Sequence, residues 1–103
     1  MILVTVRTKE EIEEVSVSGH SEYADAGNDI VCSAVSTAMY VSLGLLEKVC
    51  PKYDFHSDED KALMKLRIIQ TNEFTKIILD NLVSTIEGIS KDYARYLQVK
   101  FEK

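Results

Sequence analysis

Proline occurs once and glycine four times in the 103 residues, and 46% of the chain is hydrophobic. That is too little of the first two and too much of the third for a disordered or fibrous protein. Basic residues are also scarce. Twelve Lys and Arg face seventeen Asp and Glu, for a formal net charge of −5. This disfavours a general nucleic-acid binder, which must neutralise phosphates, and suits a basic partner better. No uninterrupted apolar run approaches the roughly 20 residues of a membrane helix, because Ala34 to Leu46 is broken by Ser36, Thr37 and Ser42. The apolar opening, Met1 to Val6, runs at once into Arg7, Lys9, Glu10 and Glu11 and is too short for an export signal. A cytoplasmic protein with no membrane contact is expected. Cysteine appears only at Cys32 and Cys50, eighteen positions apart on one predicted helix and therefore beyond disulfide reach.

What is present reads as a single domain over residues 1–103, since a chain of this length builds one core but not two. Ile2, Val4 and Val6 fall on one face at period two, as do Val15 and Val17 between Ser16 and Ser18, predicting two strands joined by Thr8 to Glu11. From Ile30 to Val49, residues Val31, Ala34, Val35, Ala38, Val41, Leu45 and Val49 recur at helical spacing until Pro51 ends the pattern. Tyr53 to His56 and Lys61 to Ile69 predict a second strand pair around the acidic turn Ser57 to Asp60, with Met64, Leu66 and Ile68 inward. A second helix follows, with Phe74, Ile77, Ile78, Leu82, Ile86 and Ile89 as its stripe, and Arg95 to Phe101 closes the chain as a strand. The order ββαββαβ implies an α+β two-layer sandwich with a mainly antiparallel sheet.

The chemically informative segment is Gly19-His20, then Gly27, then Asp29-Ile30-Val31-Cys32-Ser33-Ala34-Val35-Ser36. Asn28 and Asp29 are both good helix caps, so Cys32 falls at the first turn. There the helix dipole and unpaired amides favour a thiolate, and a loop bounded by Gly19 and Gly27 brings His20 back toward it. The amides near Cys32 and Ser33 are candidate oxyanion donors, because first-turn N–H groups lack intrahelical partners.

These motifs, in this order and spacing, resemble the ribosomal-processing cysteine protease family. The match is sharp over residues 19–36 and continues as element order over nearly the whole chain. The resemblance implies a small α+β homodimer that removes the N-terminal extension of bacterial large-subunit ribosomal protein twenty-seven, without metal or organic cofactor. It makes Cys32 the nucleophile and His20 its base, with Asp29 and Ser36 as supporting residues. Ser33 and Glu22 depart from the family's small residues, as does Ser21; Glu22 adds size and charge beside the site.

Three roles suit Asp29: orienting His20, capping the helix, or binding the substrate backbone. Ser36 lies one turn after Cys32 on the same face, where its hydroxyl either serves the site or satisfies a backbone carbonyl. Gly19 and Gly27 are loop glycines that also leave room for a substrate backbone. Cys50 reads as packing at the helix end, and His56 as a surface residue. Together with His20 and Cys32 they have zinc-ligand chemistry but none of the close paired spacings that zinc sites use. The competing function is a non-catalytic module that binds a ribosomal protein or assembly factor through the same groove.

Overall fold

The computed structural model describes residues 1–20, 29–49 and 52–103. Seven elements follow in the expected order: β1 (Ile2–Thr8), β2 (Ile12–Ser18), α1 (Ile30–Val49), β3 (Lys52–Asp58), β4 (Leu63–Gln70), α2 (Glu73–Asp92) and β5 (Leu97–Glu102). The strands form one sheet in the order β3-β4-β2-β1-β5. β1 pairs antiparallel with β2, β2 with β4, and β4 with β3. β5 instead runs parallel to β1, with Ile2 opposite Leu97 and Val4 opposite Val99. The sheet is therefore mainly antiparallel but mixed.

The parallel pair follows from connectivity. β2 and β3 run the same way and are joined through α1; β4 and β5 run the opposite way and are joined through α2. A helical crossover is what links parallel strands. The two crossovers move toward opposite edges from oppositely directed strands, so the same handedness puts both helices on one face. α1 and α2 pack together there. Between helices and sheet lies a core of Val4, Val6, Val15, Val17, Leu66 and Leu97 beneath Val31, Val35, Met39, Leu46, Leu79, Leu82 and Ile86.

Helix α1 has the predicted bounds but a rotated apolar face. The buried residues are Val31, Val35, Met39, Ser42 and Leu46, whereas Val41 and Leu45 are exposed. Each residue step turns the helix by about 100°, so choosing Val41 over Ser42 by hydropathy alone shifts the stripe off the core. By length and composition α1 also meets the requirement for a membrane span; its buried stripe packs on the sheet as a core helix does.

The second helix shows the same kind of rotation. Thr75, Leu79, Leu82, Val83 and Ile86 are buried, and Phe74 and Ile77 are exposed. Thr75 is admitted to the core because its hydroxyl is satisfied. It accepts from Asn72 N–H at 2.8 Å and donates to the Asn72 carbonyl at 2.9 Å. The Asn72 side chain in turn accepts from the amides of Phe74 and Thr75, a reciprocal cap of the kind that starts helices. Its amide nitrogen donates to Val49 O at 2.9 Å, tying the end of α1 to the start of α2.

β4 begins at Leu63, two residues later than the alternation suggests. Ala62 adopts φ 49°, and Ala62 N–H donates to Glu59 O, so residues 59–62 form the turn. Ser57 and Asp58, expected in that turn, complete β3.

Candidate active site

Gly19 directly follows β2, and its backbone has φ 89°, a conformation that L side chains rarely adopt. Its N–H donates to Ala62 O at 2.9 Å, tying the strand end to the β3–β4 turn. A Cβ built here would run into the Met1 carbonyl oxygen. Glycine is therefore required twice over, by conformation and by space. His20 comes next and is exposed. The following residues, including Ser21, Glu22 and Gly27, lie outside the described residues, as does Cys50.

Asp29 starts α1. Its Oδ1 accepts from Val31 N–H and Cys32 N–H, each at 3.0 Å, and its carbonyl accepts from Ser33 N–H at 3.1 Å. One residue thus occupies three amides of the first turn. This corrects the expectation that the amides of Cys32 and Ser33 stand open as oxyanion donors: an aspartate cap reaches the N2 and N3 amides that a bare first turn leaves unpaired. Among the described residues, Asp29 thus acts as the helix cap.

Cys32 is half-buried against the core, Ser36 is half-buried one turn on, and Ser33 is exposed. Cys32, Ser36, Gly19 and His20 line one open cavity of about 290 Å³. Ile2, Val17 and Val35 give it an apolar floor, and Ser57, Asp58 and Glu59 form its far wall. His56 lies elsewhere, in a recess with Glu14, Asp54 and Lys65. Among the described residues, no three His, Cys, Asp or Glu side chains are placed to hold a metal.

The recess around His56 belongs to the open face of the sheet. Glu14, largely buried, sits between Arg7 at 3.5 Å and Lys65 at 3.8 Å on the neighbouring strands.

Sequence reasoning did not single out Tyr40, which also lines the Cys32 cavity. A signal was available: Cys32, Ser36 and Tyr40 are spaced at i, i+4 and i+8 and so share a helix flank. The wall formed by Asp58, Glu59, Leu63 and Met64 had no local signal, since it reaches the cavity only through strand pairing.

The capping carboxylate admits a direct test. Asp29→Ala removes the side-chain acceptor for two amides and is expected to cost about 1 kcal/mol of stability and to lower peptide turnover. Asp29→Asn, which can still cap, is expected to keep the stability and most of the turnover. Urea midpoints and kcat for both variants check this; equal losses in both would mean that the negative charge, not the cap, is what matters.

A cysteine at the head of a helix and a histidine just after a strand thus line one cleft on an α+β sandwich, and comparison with known proteins defines the class as a cysteine peptidase. The family model described as cysteine protease Prp matches residues 1–98, and the chain belongs to that family. Among curated proteins it is similar to the ribosomal processing cysteine protease Prp of Staphylococcus aureus, 21% identical over 101 residues, covering 96% of this chain and 95% of that protein. The fold matches the crystal structure of an essential Prp from S. aureus in complex with a covalently linked product peptide. That match has a TM-score of 0.93 at 20% identity and covers 99% of this chain and 100% of the other. SMU.848 from Streptococcus mutans is 26% identical, with a TM-score of 0.87, covering 99% of this chain and 94% of the other.

Proposed function

We propose that the protein is a cytoplasmic endopeptidase that removes the N-terminal extension of bacterial large-subunit ribosomal protein twenty-seven, with Cys32 as nucleophile and His20 as general base. The observation that carries this reading is that His20 and Cys32, twelve positions apart in sequence, line one cavity. Similarity to the S. aureus ribosomal processing protease supports the substrate class.

In the proposed reaction, His20 takes the thiol proton and Cys32 Sγ attacks the scissile carbonyl carbon, giving a tetrahedral oxyanion. The C–N bond then breaks, the imidazolium proton passes to the leaving amine, and a thioester remains. Water, deprotonated by His20, attacks the thioester; the C–S bond breaks, the carboxylate product departs, and the proton returns to the thiol. Asp29 acts as a positioning residue, holding the turn that carries Cys32. Ser36, on the same cavity wall, contacts the bound peptide; Gly19 and Gly27 give its backbone room, and Ser33 borders it.

The protein acts as a homodimer in this reading. Val41 and Leu45 of α1 and Phe74 and Ile77 of α2 remain exposed on the helix layer. These exposed apolar side chains on the two helices, whose ends Asn72 ties together, are what a second copy would cover.

The deciding experiment incubates the purified protein, Cys32→Ala and His20→Ala with the ribosomal protein bearing its extension and reads intact masses. One specific cut by the wild type, lost in both variants, is expected. An uncut substrate that binds all three forms equally would favour a non-catalytic binding module.

A further inference from the structure

The cavity that holds Cys32 does not end at the reacting groups. Along one flank of α1 it continues past Ser36 to Tyr40. Tyr40 is 53% exposed and does not belong to the buried stripe of the helix, which passes through Met39 and Ser42. Its ring is held from one side by Phe55 of β3, with centroids 6.0 Å apart and planes at 63°, the edge-to-face geometry that aromatic pairs favour. An aromatic side chain is thus anchored at the edge of the cleft while much of its surface stays open.

The spacing sets what can reach it. Eight residues of helix separate Cys32 from Tyr40, about 12 Å at a rise of about 1.5 Å per residue. An extended peptide advances about 3.3 Å per residue, so for a peptide lying along α1, Tyr40 stands three to four substrate residues from the scissile bond. The opposite wall gives a similar span. Asp58, on the cavity rim, and Phe55, behind Tyr40, are three strand residues apart, about 10 Å. The lining also differs chemically along the cavity: Asp58 and Glu59 carry charge at the β3–β4 turn, which Ala62 ties to Gly19, whereas Tyr40 and the Phe55 behind it are aromatic.

We infer that Tyr40, backed by Phe55, is a specificity-determining subsite that takes a large apolar side chain of the substrate three or four residues from the scissile bond. The inference rests on the peptidase reading of the Cys32 cleft and adds to it which part of the peptide, beyond the reacting bond, is recognised. The occupant is the substrate itself, because the subsite is continuous with the cavity of the nucleophile.

The test uses peptides spanning the extension of ribosomal protein twenty-seven. Positions two to five on each side of the cut are replaced by alanine in turn, and kcat/KM is measured with wild type, Tyr40→Ala and Tyr40→Phe. With wild type, alanine at one large apolar position three or four residues from the cut is expected to lower kcat/KM about tenfold or more, the scale of burying one such side chain. Tyr40→Ala should impose the same loss on the parent peptide and no further loss on that alanine peptide, and Tyr40→Phe should behave as wild type. Equal effects of Tyr40→Ala on every peptide, or none on any, would overturn the inference. Affinities of the same peptides for Cys32→Ala, with and without Tyr40→Ala, keep the two readings apart. If the wild type cuts nothing but the affinities show the same coupling, the peptidase reading fails and the subsite stands. Absence of coupling, or of binding, removes the subsite.

Discussion

Gly19→Ala is expected to abolish most peptidase activity, lowering kcat/KM by about a hundredfold or more, and to destabilise the fold by about 1–3 kcal/mol. The two effects share a cause. At φ 89° an alanine is strained whatever space surrounds it, and here its methyl would also meet the Met1 carbonyl oxygen. That oxygen cannot swing aside as a side chain would. It belongs to backbone leading into β1, whose Ile2 N–H donates to Tyr96 O at 2.8 Å and whose strand pairs on both sides. Relief must come from residue 19 itself, which carries His20 with it. Because Gly19 N–H also holds Ala62 O, the cavity wall at the β3–β4 turn loses its tie. Peptide kinetics and a urea midpoint measured on one preparation check the prediction. An alanine variant with wild-type kcat/KM would show that the position of Gly19 is irrelevant to catalysis.

The largest loss of stability is expected at Met39. Its side chain is fully buried on the core face of α1, one turn beyond Val35, which lines the cavity floor. Met39→Ala leaves a void between helix and sheet and should cost about 2–5 kcal/mol, a large part of the roughly 5–15 kcal/mol that holds a domain together. Met39→Leu, which nearly conserves volume, should cost less than about 1.5 kcal/mol. Equilibrium urea unfolding distinguishes the two. If alanine and leucine variants unfold together, the packing at this position is looser than its burial implies. Activity carries a second readout, since α1 presents Cys32, Ser36 and Tyr40 from its flank. A helix that settles toward the void should lower kcat/KM even where most molecules remain folded.

The element order and the bounds of α1 were legible in the sequence because they rest on local features: period-two alternation in β1 and β2, and 3-4 spacing ended by Pro51. That His20 and Cys32 border one cleft was anticipated from a motif of fixed spacing, through its resemblance to a known family. Which face of each helix is buried was less so. Ser42 and Thr75 are in the core while Val41 and Phe74 are exposed, a choice made by the sheet beneath the helices and, for Thr75, by the Asn72 cap that satisfies its hydroxyl.

Chain chemistry alone thus determined a mainly antiparallel α+β protein with a thiol at a helix start and an imidazole after a strand. Tertiary structure decided the rest. The parallel β1–β5 pair arises because two crossovers travel to opposite edges of one sheet. The cleft acquires its Asp58 and Glu59 wall and its Tyr40–Phe55 end only when strand pairing brings residues from the middle of the chain against α1. Spacing along a chain specifies local geometry, but a wall built from distant segments exists only after those segments have paired.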